Sequence, residues 1–360
     1  MKTNDAIPTR PLRILVLSAK GSGTGSALRA AYAAEGLRQR GHEVVFARPL
    51  PTWPFWLDMA LSTFWYIPFA LFRRFDAVWC VKPYPSLWPA CWLQKLRGAK
   101  IVFDIDDLDW AYSHGLFRIL HRLLQTPWPR LGSFATYHNP KLKEALVADF
   151  HLDPSRLVRV PQGVDPKIFH HGKKDFSNLP AVAQALKDFH PLLVFTAHLN
   201  VACDLGELLE SFRLFLARHP QSALLVAGGG PDQVRFEQEA ARLGLADRVR
   251  FTGLIPSSTV ASCLRAADAV LVYYRDTEAN RHRASLKVRE ALSCGCRVVA
   301  TRVGDYKEWA AWATLSDPRP DAFASAVEKS LRRRKARRKT PDAWHWVSCV
   351  ADLERSLQAA

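Results

Sequence analysis

The sequence predicts an α/β fold made of two Rossmann-like, doubly wound domains that face each other across a cleft. Three observations carry this prediction. Short apolar runs of strand length alternate with helix-length stretches along the whole chain, which is the pattern of parallel sheets covered by helices. A glycine-rich loop follows the first apolar run, at the end of the strand where such sheets bind ligands. A turn rich in Pro and Gly at residues 161–169 divides the 360 residues into halves that are each long enough for their own core.

The composition limits the class of protein and its partners. With 48% hydrophobic and 23% charged residues, the chain is typical of globular proteins and not of disordered ones. Its formal net charge is +16, so we expect a polyanionic partner: a nucleotide phosphate, a nucleic acid or an anionic membrane surface. The seven cysteines show no CxxC spacing, which predicts reduced thiols in a cytoplasmic protein. The first 13 residues contain no apolar run, so no signal peptide is expected.

The first domain is expected at residues 1–165. A loop with Gly21, Gly23 and Gly25 follows its first strand and leads into a helix that ends near Arg40. The loop matches neither the Walker A pattern nor G-x-G-x-x-G, so it indicates either close approach of the backbone to a ligand or a flexible connection. The strands of this domain are predicted at residues 12–17, 43–47, 77–81, 100–104, 134–137 and 157–160.

An unusually aromatic segment lies at residues 53–72, within the first domain. Its length would just cross a bilayer, but Asp58, Pro68 and its position between two strands argue against a membrane span. Arg73-Arg74 follows directly. The segment therefore predicts either interfacial contact with a membrane or a buried helix of the first domain.

Three carboxylates, Asp104, Asp106 and Asp107, follow the strand at residues 100–104. The carboxyl end of a parallel strand is where ligands sit. These side chains could bind a metal, act as a base or contact sugar hydroxyls, or they could cap the following helix. His138 follows the next strand and is a further candidate, although a single histidine is more often structural.

The second domain is expected at residues 166–338 and repeats the α/β alternation. A basic run at residues 332–339 indicates either an anionic surface partner or a solvated helix end. A last helix is predicted at residues 341–357, in the terminal segment 339–360. The strands of the second domain are predicted at residues 192–196, 223–227, 249–252, 269–272 and 297–300, and its helices at residues 205–218, 233–243, 257–266, 285–294 and 321–332.

The stretch at residues 285–301 has the features of a phosphate site. Ser285 is a helix N-cap signal, and Gly295 is a C-cap signal. A helix N-terminus presents free N–H groups to an anion. Lys287 adds charge at this end, and Glu290 lies one turn later on the same face. The pattern predicts a nucleoside diphosphate site, and the alternative is an exposed basic helix with an ion pair between these two residues.

Several motifs together resemble those of glycosyltransferase family 4, a family of GT-B fold enzymes. The motifs are RGHEV at residues 40–44, PQGVD at 161–165, AGGGP at 227–231, VRFTG at 249–253 and EALSCGCRVVAT at 290–301. The resemblance extends over residues 13–357. It implies retaining transfer of a sugar from a nucleoside diphosphate sugar, without a bound metal or other cofactor. The acceptor would be a precursor of a cell-surface polysaccharide, lipopolysaccharide or glycolipid. The first domain would bind the acceptor, the second would bind the donor, and the C-terminal helix would pack back toward the first domain.

The same resemblance assigns the candidate site residues. Glu290 would hold the nucleoside ribose, and Ser285, Leu286 and Lys287 would meet the diphosphate. Asp104, Asp106 and Asp107 would act from the first domain, with Lys287 as a further catalytic residue. The complete set of predicted donor-binding residues is Gly23, Arg281, His282, Arg283, Ser285, Leu286, Lys287 and Glu290.

The chain departs from the family pattern at two places. His282 stands where the family often has a second glutamate, and residues 196–204 lack the arginine and lysine that follow the first strand of the donor domain. We therefore expect Arg281, Arg283 and Lys287 to have taken over the contact with the diphosphate.

These departures keep other functions open. A non-catalytic GT-B nucleotide-binding module and a GT-B-like sugar-nucleotide epimerase are the alternatives. A nucleic-acid-binding protein would explain the charge but not the order of the motifs. The expected partners are a nucleotide sugar, a lipid-linked or glycan acceptor and an anionic membrane surface, with no nucleic acid. The expected location is the cytoplasm, including the cytoplasmic face of the membrane.

Overall fold

The computed structural model describes residues 10–19, 24–50, 55–173, 179–333 and 340–359. These residues form two compact units. Unit 1 contains the described residues up to Gly163, together with His282–Ala284 and the segment that begins at Asp342. Unit 2 contains the described residues of Val164–Arg281 and Ser285–Pro341. Unit 2 is therefore inserted into the sequence of unit 1.

Unit 1 is built on a parallel sheet. The described strands are β1 (Arg13–Ser18), β2 (Glu43–Phe46), β3 (Ala77–Val81), β4 (Lys100–Asp104), β5 (Phe134–Tyr137) and β6 (Leu157–Arg159). Their order is β2-β1-β3-β4-β5-β6. The central strands β3 and β4 are almost entirely buried, as expected when helices cover both faces of a sheet. The strand order reverses between β1 and β3, which places the switch point of this sheet there.

The first helices of unit 1 cover this sheet. They are α1 (Gly25–Gln39), α2 (Phe55–Leu71), α3 (Trp88–Leu96), α4 (Gly115–Gln125) and α5 (Pro140–Ala148). Tyr66 of α2, Cys91 of α3 and Leu146 of α5 belong to one buried apolar cluster, and Leu124 of α4 packs against the same cluster. Right-handed crossovers place these four helices on one face of the sheet.

Helix α2 occupies most of the aromatic segment that the sequence marks as unusual. It has a buried side, formed by Ser62, Tyr66 and Ala70, and the Tyr66 hydroxyl donates to the Ser18 carbonyl at 2.7 Å. Its other side is exposed. Within the described ranges, no helix is long and apolar enough to cross a membrane.

Unit 2 has a second parallel sheet. Its described strands are β7 (Leu192–Thr196), β8 (Ala223–Ala227), β9 (Val249–Phe251), β10 (Ala269–Val272), β11 (Val298–Thr301) and β12 (Thr314–Ser316). They have the order β12-β11-β10-β7-β8-β9, so the switch point lies between β7 and β10. The described helices are α6 (Pro180–Leu186), α7 (Leu205–Leu216), α8 (Gln233–Arg242), α9 (Ser257–Ala266), α10 (Glu278–Arg281), α11 (Leu286–Ser293) and α12 (Pro320–Arg332).

The C-terminal segment packs on α1 of unit 1. It forms two helices, α13 (Trp346–Cys349) and α14 (Ala351–Ala359), so the prediction of one continuous helix at residues 341–357 is wrong. A Cβ atom at Gly36 would lie 2.9 Å from the Trp346 carbonyl, which shows how closely α13 approaches α1. The break at Val350 lets α13 fit against α1 while α14 places Glu354 beside His42, at 2.8 Å.

The cysteine side chains lie mostly in the interior. Six of the seven are buried, and Cys203 is half-buried. The Sγ atoms of Cys80 and Cys91 lie 3.0 Å apart in the core of unit 1. Burial and the neighbouring Cys91 raise the pKa of the Cys80 thiol well above its ordinary value, so Cys80 is stable as a thiol.

Candidate functional site

Lys287, in the first turn of α11, lies at the switch point of the unit 2 sheet. Its ammonium nitrogen is 5.1 Å from the ring centre of Phe195, at the end of β7, and 5.9 Å from that of Tyr274, just after β10. Open α/β sheets bind their ligands at this point. Lys287 is half-buried and has no ion pair with any residue that the structure describes. Its charge can therefore serve an anion that enters from outside.

Glu290 lies one turn after Lys287 and is buried. Burial raises the pKa of its carboxyl to about 7, and the charge of Lys287 offsets only part of this effect. In the described part of the chain, no group donates a hydrogen bond to this carboxylate. A buried carboxyl without donors is costly, and such groups are typical of functional sites.

Ser285 is the N-cap residue of α11, but its side chain does not cap the helix. Its backbone N–H donates to Asp305 at 3.0 Å, and its hydroxyl lies 3.3 Å from that of Tyr274. Leu286, the first residue of the helix, is half-buried. Because the cap side chain is turned away, the N–H groups of the first turn are left for another acceptor. The site in unit 2 thus combines helix N–H groups, one cation and one buried carboxyl.

Arg281 is held at the surface of unit 2. Its guanidinium pairs with Asp276 at 2.6 and 3.1 Å, and both side chains are at least half exposed. An exposed pair of this kind contributes little to stability. It does, however, occupy the charge that the sequence assigns to a phosphate.

His282 and Arg283 belong to unit 1 by their contacts. The side-chain amide of Asn139 donates to the carbonyl oxygen of His282 at 2.7 Å and to that of Arg283 at 3.1 Å. The guanidinium of Arg283 donates to the Tyr112 hydroxyl at 2.8 Å. Lys287 is thus the predicted diphosphate ligand whose charge is least engaged by the described residues.

Asp104, at the end of β4, is fully buried. The guanidinium of Arg29, on α1, donates two hydrogen bonds of 2.6 and 2.9 Å to its carboxylate, and the Thr136 hydroxyl donates a third. Arg29 also donates to the Val160 carbonyl at 2.8 Å. This geometry leaves Asp104 no surface for a substrate. The sequence predicts Asp104 as one of the catalytic carboxylates. Its position in the structure instead indicates a structural role, because its ion pair with Arg29 connects α1 to β4.

Lys82, directly after β3, is the centre of a buried charge cluster. Its ammonium contacts the carboxylates of Asp109 and, at 3.3 Å, Asp106, and the Tyr84 hydroxyl donates to Asp109 at 2.7 Å. Burial alone would lower the pKa of Lys82. The carboxylates of Asp106, Asp109 and Asp107 outweigh burial and raise this pKa well above its ordinary value. Lys82 therefore stays charged and holds the acidic loop together.

Asp107 is the carboxylate of this loop that reaches solvent. It is half-buried, and its carboxylate accepts a hydrogen bond from Tyr112 at 3.3 Å. Burial raises the pKa of Asp107 to about 6; Asp106 and Asp109 add to the rise, while Lys82 and Arg283 oppose it. A partly exposed carboxyl that titrates near neutral pH can exchange protons with a ligand.

The remaining candidates are His138, a metal site and Gly23. His138 is buried, and its Nε2 lies 2.5 Å from the backbone oxygen of Asp106, so it supports the acidic loop. Among the described residues, no group of three His, Cys, Asp or Glu side chains could hold a metal ion. Gly23 lies outside the described residues.

Sequence reasoning missed Lys82, Asp109 and Arg29. For Lys82 a signal exists, because it follows β3 at the carboxyl edge beside the switch point. Asp109 follows the predicted carboxylates by only two positions. Arg29 gives no signal, since a buried arginine in an Ala-rich helix has the same local sequence as an exposed one.

The comparisons with known proteins agree with this arrangement. A family model described as "Glycosyl transferases group 1" matches residues 190–333, a range that contains the whole described sheet of unit 2. The chain is 29% identical over 192 residues to a component of the phosphatidylinositol N-acetylglucosaminyltransferase of Arabidopsis thaliana; the match covers 52% of this chain and 39% of that protein. It is 27% identical over 213 residues to a GDP-mannose-dependent phosphatidylinositol dimannoside mannosyltransferase of Mycobacterium tuberculosis, with 57% and 53% covered. The chain thus spans about half or less of the length of these relatives.

Solved structures match over nearly the whole chain. Anabaena Alr3699/HepE in complex with UDP-glucose has a TM-score of 0.65 at 15% identity, with 97% of this chain and 95% of that chain covered. The α,α-trehalose-phosphate synthase of Burkholderia xenovorans has a TM-score of 0.71 at 15% identity, with 96% and 100% covered. At such identities the likeness shows the fold. Residues 190–333 therefore match the Glycosyl transferases group 1 family model, and the chain as a whole has the GT-B fold.

Proposed function

We propose that this protein is a retaining glycosyltransferase of family 4 that moves a sugar from a nucleoside diphosphate sugar to an acceptor. The observation that carries the proposal is the pair Lys287 and Glu290 at the switch point of the unit 2 sheet. This pair lies inside the region that matches the Glycosyl transferases group 1 family model. The reaction needs no cofactor beyond the donor substrate and no resident metal.

In this proposal unit 2 holds the donor. The diphosphate is the leaving group, and its negative charge grows in the transition state. A cation and helix N–H groups aimed at it therefore lower the barrier. Lys287 and the first turn of α11, including Leu286, supply both, and Ser285 orients that turn through its bond to Asp305. Arg281, His282 and Arg283 are secondary candidates for binding the donor.

Glu290 binds the nucleoside in the same proposal. Two ribose hydroxyls would donate to its carboxylate, which has no donor among the described residues. The raised pKa of Glu290 fits this role, because the hydroxyls would replace the water that burial has removed. Binding of the donor should then lower this pKa, since hydrogen bonds to the charged form favour it.

Unit 1 supplies the acceptor side. Asp107 is the candidate that contacts the acceptor hydroxyl, since it combines exposure with a pKa near 6. Asp106 and Asp109 are bound to Lys82, and these ion pairs hold the loop that carries Asp107. A partly exposed carboxylate in a fixed position suits a hydroxylated substrate.

The acceptor class follows from the relatives by analogy. Two of them bear names that include phosphatidylinositol, so we propose a lipid-linked or glycan acceptor of cell-surface synthesis. The +16 net charge of this chain suits the anionic cytoplasmic face of a membrane. We accordingly propose a cytoplasmic protein that is peripheral to the membrane and has no nucleic-acid partner.

A thermal-shift screen with UDP-, GDP- and ADP-sugars tests the donor site. A ligand that binds only the native state at a hundredfold excess over its Kd stabilises it by about 2.7 kcal/mol. The melting temperature should rise with one nucleotide class in the wild type and in Lys307→Ala, which removes an exposed lysine of unit 2. The rise should be lost in Lys287→Ala. Equal shifts in both variants would refute the donor assignment.

A second assay tests transfer itself. The protein is mixed with the stabilising sugar nucleotide and a membrane extract, and nucleotide release is followed. Release that requires the extract supports a transferase. Binding without release would identify a nucleotide-binding module, and conversion of the sugar without an acceptor would identify an epimerase.

A further inference from the structure

Helix α4 of unit 1 turns an apolar stripe to solvent, while the polar residue Gln125 of the same helix faces the protein. Leu116, Ile119 and Leu123 recur at helical spacing i, i+3 and i+7, and they are 77%, 58% and 64% exposed. On the other side, Gln125 is fully buried. A helix on the surface of a globular protein normally has the opposite arrangement.

The buried side of α4 holds the acidic loop. The Gln125 side chain donates to the Asp107 carbonyl at 3.0 Å and accepts from the Asp109 N–H at 3.2 Å. The His121 ring meets that of Tyr84 edge to face, and Tyr84 is bonded to Asp109. One side of a single helix thus supports the candidate acceptor site while the other presents apolar side chains to the outside.

Helix α2 exposes a second apolar stripe on the same face of the unit 1 sheet. Leu57, Leu61, Phe64, Pro68 and Leu71 recur at helical spacing along it, and all are exposed. Helix α3 lies in the same layer and exposes Trp92 and Leu96 at spacing i, i+4. Exposed apolar surface of this extent marks a site of interaction.

The charge around these helices indicates the partner. Helices α3 and α4 contain no acidic residue, and Arg73 and Arg74, directly after α2, are exposed. Apolar stripes with tryptophan and with basic flanks are typical of helices that lie in the interface of an anionic bilayer.

We propose that α4, assisted by α2 and α3, docks unit 1 onto an anionic lipid surface and thereby brings the Asp107 loop to the membrane. Docking itself does not depend on the reaction. The inference that docking presents a lipid-linked acceptor to Asp107 rests on the proposed function.

The test compares binding to vesicles of phosphatidylcholine alone with binding to vesicles that also contain phosphatidylglycerol. The variant carries Leu116→Gln, Ile119→Gln and Leu123→Gln, because glutamine keeps helix propensity and the sites are exposed. The matched control carries Val201→Gln, Val234→Gln and Leu254→Gln in unit 2, at similarly exposed aliphatic positions. Cosedimentation measures the partition coefficient, and circular dichroism checks that both variants fold.

We expect the wild type and the control to bind the anionic vesicles, and the α4 variant to bind about a hundredfold less tightly, because three large apolar side chains no longer enter the interface. Arg73→Ser with Arg74→Ser should weaken binding about 30-fold on anionic vesicles and hardly change it on phosphatidylcholine. Equal binding by the α4 variant and the wild type would overturn the proposal. It would also be overturned if the wild type were a dimer that the α4 variant dissociates, since the helix would then be an interface between copies.

A failure of the proposed function can be told apart from a failure of docking. If docking is right and the transfer reaction is wrong, vesicle binding will still depend on α4. If both are right, the α4 variant will keep the donor-induced thermal shift and lose turnover with acceptor in vesicles.

Discussion

Replacing Glu290 by glutamine removes the one charge that unit 2 buries at the switch point without a donor among the described residues. Burial raises the pKa of this carboxyl from 4.5 to about 7. The native-state pKa therefore lies above the unfolded-state value. Below about pH 4.5 the group is protonated in both states and costs nothing. As the pH rises, the folded protein must either hold the proton or ionise a buried group, so stability is lost between about pH 4.5 and pH 7 and then levels off.

The size of this loss follows from the shift. Each pKa unit corresponds to about 1.4 kcal/mol, so the shift destabilises the folded protein by about 3 kcal/mol at pH 8. Glutamine has nearly the same shape and no charge. Glu290→Gln should therefore be more stable than the wild type by about 3 kcal/mol at pH 8 and nearly equal at pH 4.5. For a domain of this size, such a gain raises the melting temperature by roughly 6 to 12 °C.

The assay is thermal unfolding of both proteins at the two pH values, without nucleotide. Glu237→Gln on the exposed side of α8 is the control, because it removes a carboxyl group that is not buried. A gain at pH 8 that is absent at pH 4.5 would support the reasoning. The same difference at both pH values would refute it, because the effect would then not come from the ionisation of Glu290. The stabilised variant should also lose donor affinity, since glutamine presents one acceptor oxygen to the ribose in place of two.

Three further predictions concern the charges of the two sites. Lys287→Ala should raise the Kd for the donor about 10- to 100-fold, the value of one charge-assisted hydrogen bond, as measured by calorimetry; an unchanged Kd would contradict its role. The rate of transfer by the wild type should fall as the pH drops below about 6, because Asp107 becomes protonated. Asp107→Asn should be slow, and its rate should not fall further at acidic pH. If the rate of this variant still falls below pH 6, another group causes the acidic decline. Arg29→Met should destabilise the protein by about 3–5 kcal/mol, since it leaves the Asp104 charge buried and unpaired; adding Asp104→Asn should recover part of the loss in urea unfolding, and strictly additive losses would argue against a coupled pair.

Much of the fold could be predicted because the central strands are continuous apolar runs. Strands β3 and β4 begin and end where the sequence predicts, since each is bounded by polar or glycine-containing segments. Strand β12 could not be predicted. It is an edge strand of three residues, and two of them are only half-buried, so it lacks the apolar run by which a strand is recognised.

The candidate site was partly accessible from the sequence. Lys287 and Glu290 stand out because they lie at the start of a helix with clear boundaries. The burial of Asp104 against Arg29 could not be predicted, since a strand-end carboxylate that binds a ligand has the same local sequence pattern as one that pairs with an arginine. Helix α4 shows a related limit. Periodicity reveals that a helix has an apolar side, but it does not say whether that side faces the core or the solvent.

The insertion of unit 2 into unit 1 has a consequence for how the chain folds. Gly163 packs against the Trp346 ring, so two ends of unit 1 separated by ~180 residues must meet. Closing a flexible loop of that length costs about 4–5 kcal/mol of chain entropy. When unit 2 is folded, most of this entropy has already been lost, because the connection between the two ends is then a folded unit and not a fluctuating chain. Unit 1 should therefore refold faster when unit 2 is native than when a mutation keeps unit 2 unfolded, and equal refolding rates would show that the two units form independently.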